Sequence, residues 1–356
     1  MNPILFVGPF PPPTHGQAIA TNMLAEHLEA QGCHLRKIDL SIGDHNKIIS
    51  ITYKILKYLF ASKLILSNKS LLYISLSANA GMWLSAVLVA LARLRRNPTI
   101  VHHLTYDHVR RRRLSMAALV RAGGSNLLHV VLTNSMGKDL KATYKEAKNL
   151  IVINNSGIVR TYKIEKIRSN NKFIIGHLAN ICKEKGIKDV VDLAIQSLHN
   201  KKLSKLIIAG PIKDKFSENE IERAKLKLED HFEYRGPVYG DDKIKFFSDI
   251  DYFIFPTRYR NEASPLVLLE AIAAGIPCIT TNIAGIPEII EGSGGCVLNI
   301  SENFIKGSLD YFDNNDDEYM VNSQKSKKRF EDLLIAYGEQ IDDLSYRLCH
   351  VSLPQI

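Results

Sequence analysis

Short apolar runs alternate with helix-length segments along most of the chain. Five runs in the first half predict the strands of one sheet: "PILFVGPF", "LLYISLS", "TIVHHL", "VVLTNS" and "LIVIN". Five in the second half predict another: "FIIGHLAN", "KLIIAGP", "FEYRGPV", "DYFIFPT" and "PCITTNI". Apolar strands separated by helices are typical of parallel sheets covered on both faces. The pattern therefore predicts an α/β fold with two Rossmann-like, doubly wound domains facing across a cleft.

The boundary between the two predicted domains falls in "IVRTYKIEKIRSNN", which is charged and poorly patterned. We therefore expect a first domain over 1–160, a linker near Arg160–Asn171, and a second domain over 171–325. Residues 326–356 are expected to form a helical tail. A ligand would bind between the domains, at the carboxyl ends of the strands.

The segment "NEASPLVLLEAIAAGIP" predicts a helix from Pro265 to Ala274. Ser264 is expected as its N-cap and Pro265 as its first residue, while Gly275 and a following proline end it. The N–H groups of Leu266 and Val267, together with the helix dipole, would form an anion site. This start of a helix is therefore a candidate phosphate site.

Two carboxylates frame that segment. Glu262 lies in the loop before the helix, and Glu270 lies within it among apolar neighbours. Burial of an unpaired carboxylate is costly, so Glu270 needs partners, and ribose hydroxyls would satisfy it. Alternatively, Glu270 marks an exposed stripe or pairs with a nearby lysine.

The composition, with 46% hydrophobic and 23% charged residues, is that of a globular protein. Five cysteines without a CxxC pair suggest reduced thiols. No apolar run reaches the roughly 18 residues that would cross a bilayer, and the chain opens on a strand instead of a leader peptide. We therefore expect a cytoplasmic protein. The acidic run Asp313–Asp317 is the nearest approach to a metal motif, and no metal or other cofactor is expected.

The net charge of +9 is unevenly distributed, because residues 1–150 carry 19 basic and 7 acidic side chains. Arginines cluster at 93–96 and at 110–113. The first half is therefore expected to face an anionic surface, either phospholipid or nucleic acid, or simply to carry a solvated basic face. Nucleic acid is the less expected partner, since no stacking aromatics are interleaved with the arginines.

The segment Asn46–Leu66 places four lysines among aromatic and aliphatic residues. This composition is typical of a helix at a membrane surface, although a core helix with exposed lysines would also fit. Peripheral attachment to the inner face of the cytoplasmic membrane would make a lipid-linked saccharide a natural acceptor.

The spacing Glu262-x7-Glu270, followed by "AGIPCITTNIAGIPEII", resembles the signature of glycosyltransferase family 4. Members of that family are retaining, nucleotide-sugar-dependent enzymes with the two-domain GT-B fold. The resemblance extends over residues 3 to 300. It includes "GPFPPPTHGQA", "VLTNSMGKDL", "VINNSGI", "LANICKEKGI" and "FEYRGPVYGDDKIKFFSDIDYFIFPT".

The resemblance implies catalytic roles for Glu262, Lys185 and His103. Lys185 would bind the departing diphosphate, and Glu262 would position the donor sugar in a front-face reaction. His102 is the alternative to His103, and either ring could instead be satisfied within the structure. Asn180 stands where relatives carry a second phosphate-binding arginine, which Lys183 could also replace. The implied donor-binding residues are Gly16, Gln17, Asn180, Lys185, Val238, Ser264, Pro265, Leu266 and Glu270.

The function that these observations predict is transfer of a sugar from a UDP- or GDP-sugar to a saccharide, expected to be lipid-linked, with retained configuration. Such a step belongs to synthesis of a bacterial O-antigen, capsule or exopolysaccharide. One alternative is a nucleotide-sugar 2-epimerase of the same fold. The other is a non-catalytic basic protein that binds membranes or nucleic acid.

Overall fold

The computed structural model describes residues 3–12, 16–41, 47–76, 81–161, 164, 172–315 and 317–350. Their contacts divide the chain into two compact units. Unit 1 comprises Met1–Ile158 together with Ala336–Ile356, and unit 2 comprises Val159–Ile335.

Unit 1 is built on a six-stranded parallel sheet with the order β2-β1-β3-β4-β5-β6. Its strands are β1 Ile4–Gly8, β2 Leu35–Asp39, β3 Leu71–Ser75, β4 Thr99–His102, β5 Leu127–Val131 and β6 Asn149–Val152. Its helices are α1 Gly16–Ala30, α2 Lys47–Ser67, α3 Gly81–Leu94, α4 Asp107–Arg110, α5 Leu114–Gly123 and α6 Asn134–Thr143.

The central strands of unit 1 are apolar along their whole length because both of their faces are covered. Every residue of β1, β3, β4 and β5 is buried. Phe6 on β1 stacks on Tyr73 of β3 with ring centroids 4.0 Å apart. The edge strand β2 escaped the sequence prediction because it exposes Arg36 and Lys37, so it lacks a continuous apolar run.

Unit 2 holds a second parallel sheet with the order β12-β11-β10-β7-β8-β9. Its strands are β7 Phe173–Leu178, β8 Leu203–Ala209, β9 Phe232–Tyr234, β10 Tyr252–Phe255, β11 Cys278–Thr281 and β12 Cys296–Leu298. Its helices are α7 Ile187–His199, α8 Lys215–Leu228, α9 Gly240–Asp249, α10 Leu266–Ala273, α11 Ile286–Ile290 and α12 Phe304–Asn315.

The strand order of unit 2 is the Rossmann order, in which the first and fourth strands lie side by side at the point where the winding reverses. Those strands are β7 and β10, which pair through Tyr252 and Ile175. Alternate residues of β10 enter different apolar clusters, Phe253 and Phe255 one and Tyr252 the other. This alternation is the pattern of a strand covered on both faces.

The final helix, α13 Tyr319–His350, belongs to both units. In unit 2 Phe330 packs in the core, and Ser323 donates a hydrogen bond to the carbonyl of Gly275 at 2.6 Å. In unit 1 Ile341 and Leu344 pack in the core. The sequence predicted a separate tail over 326–356, whereas the helix starts earlier and its two halves complete two different cores.

Most of the predicted linker, Arg160–Asn171, lies outside the described residues. Ile164 is described, and it packs in the core of unit 2. Within the described part of the chain, no helix is long and apolar enough to cross a membrane. Cys182, Cys278 and Cys296 are free thiols, but Cys33 takes part in a disulfide, so the expectation of reduced thiols is wrong for that residue.

Candidate functional site

The loops after β7 and β10 meet because these two strands are neighbours at the reversal of the second sheet. The N–H of Arg258 donates to the carbonyl of Glu184 at 2.7 Å and ties the loops together. Gly186 makes the approach possible: its φ is +79°, and a Cβ there would lie 2.2 Å from the carbonyl oxygen of Pro256. Ligands of such folds bind at the carboxyl ends of the strands beside this reversal.

Lys185 and Glu262 form an ion pair at the meeting point of these loops. The Lys185 ammonium contacts Oε2 of Glu262, and the side chains are only 15% and 12% exposed. The ammonium also lies 5.0 Å from the ring centroid of Tyr259 and 5.2 Å from that of Phe255. Thr257 donates its hydroxyl to the same carboxylate oxygen at 3.3 Å. The site therefore presents a fixed cation beside a fixed carboxylate.

Helix α10 begins directly after this pair. Its first residue is Leu266, and Pro265 occupies the N-cap position with an extended ψ of 118°. The prediction of Pro265 as the first helical residue and Ser264 as the N-cap is thus displaced by one residue. Leu268 donates the first helical hydrogen bond to the carbonyl of Pro265, at 3.2 Å. The N–H groups of Leu266 and Val267 precede it and point out of the helix start, as an anion site requires.

Glu270 lies in the body of α10 with 13% of its side chain exposed. Its Oε1 accepts a hydrogen bond from Lys243 on α9 at 2.6 Å, whereas Oε2 is buried without a hydrogen-bond partner among the described residues. Burial raises the pKa of this carboxyl, and the Lys243 charge opposes that rise. The alternative that Glu270 pairs with a nearby lysine therefore holds for Oε1, but Lys243 leaves Oε2 without a partner among the described residues.

His177, at the end of β7, is a buried residue that the sequence prediction missed. Its Nδ1 is hydrogen-bonded to the carbonyl of Ile254 at 2.8 Å, and its Nε2 has no partner among the described residues. Burial, with a smaller contribution from the Lys185 charge, lowers its pKa to about 4. The ring is neutral at pH 7, so Nε2 is a hydrogen-bond acceptor. The only sequence signal was a polar residue inside an apolar strand.

The remaining predicted donor-binding residues of unit 2 have simpler surroundings. Asn180 is exposed just after β7. Val238 is buried in the core of unit 2, while Tyr239 beside it is largely exposed at the start of α9. Neither Asn180 nor Val238 has surroundings in the structure that indicate which part of a ligand it would contact.

Gly16 and Gln17 begin α1 in unit 1. The Gln17 side-chain amide donates to the hydroxyl of Ser75 at 3.1 Å and to the carbonyl of Leu76 at 3.0 Å. Ser75 ends β3, which lies next to β1 at the reversal of the first sheet. The preceding residues 13–15 of the predicted loop lie outside the described residues.

His103 is fully buried and hydrogen-bonded to two other histidines, His108 at 2.8 Å and His129 at 3.0 Å. His102 is hydrogen-bonded to the hydroxyl of Tyr73 at 2.6 Å. The structure thus gives each ring an interior partner, which is the alternative that the sequence left open. Contact of His103 with a donor sugar stays a prediction.

In the described ranges, no three histidine, cysteine or acidic side chains are arranged to hold a metal ion. The described side chains at this site include the Lys185 and Lys243 cations and the two carboxylates that they contact, beside the N–H groups at the start of α10.

A known protein family matches unit 2, the unit that carries this site. Residues 159–334 match the family model of glycosyl transferases group 1. This segment is therefore similar to group 1 glycosyl transferase domains. It contains the Lys185–Glu262 pair and Glu270, whereas Gly16, Gln17 and His103 lie outside it.

Two curated relatives are similar over parts of the chain. The capsular polysaccharide biosynthesis glycosyltransferase CapM of Staphylococcus aureus is 27% identical over 182 residues, which is 49% of this chain and 46% of that protein. The O-antigen biosynthesis glycosyltransferase WclY of Escherichia coli is 31% identical over 130 residues, 36% of this chain and 34% of that protein. The chain thus spans less than half the length of each relative.

A solved structure matches over nearly the whole chain. Anabaena HepE in complex with UDP superposes with a TM-score of 0.68 at 13% identity, covering 97% of this chain and 100% of that one. At this identity the likeness shows the fold, not the activity. The fold prediction, two α/β units with parallel sheets of GT-B type, is confirmed.

Proposed function

We propose that this protein is a retaining glycosyltransferase of the family 4 type, acting in the synthesis of a bacterial surface polysaccharide. It would move a sugar from a UDP- or GDP-sugar to a saccharide acceptor. One arrangement carries the proposal: the Lys185–Glu262 pair and the Glu270 oxygen that lacks a partner among the described residues flank the start of α10, within the segment that matches the group 1 family model. The capsule and O-antigen names of the relatives support the polysaccharide class.

The proposed chemistry follows from the charges at the site. As the bond from the anomeric carbon to the diphosphate breaks, negative charge develops on the leaving oxygen. The Lys185 ammonium and the N–H groups of Leu266 and Val267 would stabilise that charge. The acceptor hydroxyl would bond to the anomeric carbon on the same face and give its proton to the leaving phosphate. Glu262 would hold Lys185 and orient the sugar, and Oε2 of Glu270 would accept a ribose hydroxyl.

The first test is calorimetric titration with UDP and with GDP, each with and without magnesium. We expect micromolar binding of one nucleotide, unchanged by magnesium, because cationic and N–H donors are already in place for the phosphates. Glu270→Gln keeps the size of the side chain but removes its charge, and it should weaken binding about tenfold or more, since hydrogen bonds to charged groups contribute about 1.5–3 kcal/mol.

The matched control is Glu291→Gln, which changes an exposed acid near the end of α11 in the same unit. It should bind the nucleotide like the unaltered protein. If neither nucleotide binds to the folded protein, the proposed function is wrong. If the Glu270 variant binds normally, the ribose contact is wrong.

We further propose that unit 1 attaches to an anionic membrane surface through α2. This helix buries only a narrow stripe, including Tyr58, Ala61 and Ile65, and turns much of its apolar surface outward. The exposed side chains include Ile51, Tyr53, Ile55, Leu56, Leu59 and Phe60. Helix α3, which packs against α2, exposes Trp83 and Val87 as well.

The charge around this surface favours a phospholipid bilayer over a second copy of the chain. From His45 to Tyr106 the sequence contains eight lysines and arginines and no acidic residue. Two like-charged copies would repel each other across such a face, whereas anionic headgroups attract it by about 1 kcal/mol per basic residue. Lys57 lies 4.9 Å from the Tyr53 ring and Arg36 lies 5.4 Å from the Phe60 ring, so cations border the apolar side chains. A membrane position would give access to a lipid-linked acceptor.

Sedimentation with lipid vesicles tests this attachment. The protein should co-sediment with phosphatidylglycerol-containing vesicles, less so in high salt, and poorly with phosphatidylcholine alone. Leu56 and Leu59 are 58% and 60% exposed. Replacing both with serine removes about 1 kcal/mol of apolar burial each and should lower vesicle binding about thirtyfold.

Leu226→Ser is the matched control, because Leu226 is a similarly exposed leucine on α8 of unit 2. Equal vesicle binding by the control and the double variant would refute the role of α2. A change of sedimentation coefficient in the double variant without lipid would instead assign the face to a second copy of the chain.

A further inference from the structure

Lys243 and Glu270 form a pair that neither the motif nor the proposed chemistry requires. Lys243 lies in the first turn of α9, and its ammonium binds Oε1 of Glu270 at 2.6 Å. Both side chains are largely withdrawn from solvent. The other carboxylate oxygen, Oε2, is buried and has no hydrogen-bond partner in the described residues. The lysine therefore engages one oxygen and leaves the other as a bare acceptor.

A buried carboxylate oxygen without a hydrogen-bond donor is unfavourable unless a bound ligand supplies that donor. We propose that Lys243 is a positioning residue for the nucleotide. By holding Oε1 it keeps Glu270 ionised and in one orientation, so that Oε2 is ready to accept a hydroxyl of the bound nucleotide sugar. This inference rests on the proposed function, and it adds a residue that the family resemblance did not supply.

The ionisation of Glu270 depends on Lys243 more than on any other charge around α10. Burial raises the pKa of the carboxyl, and Lys243 is the charged group that opposes this rise. Of the other ionisable groups on elements packed near α10, Asp241, Asp242 and Lys245 of α9 are exposed, Glu288 lies on α11, and three more are engaged elsewhere or lack a charge. Arg329 on α13 binds the carbonyls of Glu288 and Ile289, Lys327 binds the carbonyl of Ile164, and Cys278 on β11 is a buried thiol.

Removal of Lys243 should therefore make nucleotide binding depend on pH. Without the ammonium, the carboxyl pKa rises further, because burial disfavours the charged form and no Lys243 charge opposes it. A protonated carboxyl is a poorer acceptor for the ligand hydroxyl. Affinity would then fall as the pH drops, by up to about tenfold per pH unit below the new pKa.

The experiment measures dissociation constants of UDP-glucose and GDP-mannose between pH 5.5 and 8.5. Nucleotide sugars are suitable probes because their diphosphate has no ionisation in this range. The unaltered protein should bind one of them with nearly constant affinity. Lys243→Met should bind it at least tenfold more weakly at pH 6 and approach normal affinity at high pH. Lys243→Arg keeps the positive charge, so its dissociation constant should again be nearly independent of pH.

The matched control is Lys245→Met on the same helix. Lys245 is exposed and pairs only at 3.5 Å with Asp249, so its loss should not change the profile. Circular dichroism melting of each variant would establish that it is folded at every pH used.

Two results would overturn the inference. Lys243→Met could bind the nucleotide sugar as well as the unaltered protein at every pH, or it could be weakened by the same factor throughout. The latter would mean that Lys243 contributes only packing or a general positive charge. A different failure, in which the folded, unaltered protein binds neither nucleotide sugar, would overturn the proposed function and this inference with it.

Discussion

Replacement of Lys185 by methionine is expected to slow sugar transfer by about 10²- to 10³-fold. Removal of one preorganised donor to a developing negative charge commonly has an effect of this size. The same change leaves the mostly buried Glu262 carboxylate without its cation, so the free energy of unfolding should also fall by about 1–3 kcal/mol. Turnover has to be normalised to the folded fraction for this reason.

Release of UDP or GDP from the nucleotide sugar, with a saccharide extract or water as acceptor, measures the turnover. Lys188→Met is the control, since Lys188 is exposed on α7 and pairs with Asp192 one turn along the helix. Lys183→Met tests the neighbouring lysine that could replace the missing arginine. Full activity of folded Lys185→Met, or an equal loss in the Lys188 variant, would contradict the assigned role.

Unit 1 is expected to lose stability at mildly acidic pH before unit 2 does. Burial lowers the pKa of His102 and His129 to about 3 and that of His108 to about 4. Burial and the neighbouring histidines hold the pKa of His103 well below its ordinary value. Among the described residues of unit 2, His177 is the comparable case. The described interior of unit 1 thus depends on four neutral imidazoles.

The sign of this pH dependence follows from the number of protons that the folded and the unfolded states bind. Below pH 6.5 the unfolded chain protonates these histidines, whereas the folded protein does not until about pH 4. Stability therefore falls as the pH decreases through this window, by up to about 1.4 kcal/mol per pH unit for each histidine. The lowered carboxyl pKa of Asp192 acts in the same direction but only at lower pH. The raised pKa of Glu270 acts in the opposite direction, within unit 2.

Denaturant unfolding between pH 7 and pH 4.5 measures this effect. Trp83 is the only tryptophan of the chain and lies in unit 1, so its fluorescence follows that unit, while far-ultraviolet circular dichroism follows both. As the pH falls, the denaturant midpoint measured by fluorescence should decrease more steeply than the midpoint measured by circular dichroism. His129→Gln removes one of these histidines, so the free energy of unfolding should change with pH by about 1.4 kcal/mol per pH unit less. Parallel slopes for the two signals would contradict the prediction.

The fold was predictable where local sequence and final environment agree. Strands such as Leu71–Ser75 are buried on both faces, so they are apolar throughout and stand out in the sequence. Strand Leu35–Asp39 lies at an edge and was missed. Strand Cys296–Leu298 was missed because three residues between glycine and asparagine carry no periodicity. The lysines among apolar residues of α2 raised the hypothesis of a helix at a membrane surface; the structure shows that many of its apolar side chains are exposed, and membrane attachment stays a prediction.

The sequence indicated a set of candidate site residues but not the contacts between them. The motif indicated Glu262, Glu270 and Lys185, yet Lys243 stands 27 positions before Glu270 on another helix. Only the packing of α9 beside α10 reveals that pair. The interior network around His103 was equally hidden, since His108 and His129 come from separate elements. The displacement of the α10 start by one residue reflects the extended backbone of Pro265, which sequence preference alone does not determine.

The continuous helix α13 has a consequence for synthesis on the ribosome. Domains generally fold in the order in which they emerge, the amino-terminal one first. Here Ile341 and Leu344, which complete the core of unit 1, are translated after every residue of unit 2. The nascent chain can therefore finish its second unit while the first still lacks part of its interior. A nascent chain whose residue 335 has just left the ribosomal exit tunnel would therefore carry a complete unit 2 behind an incomplete unit 1.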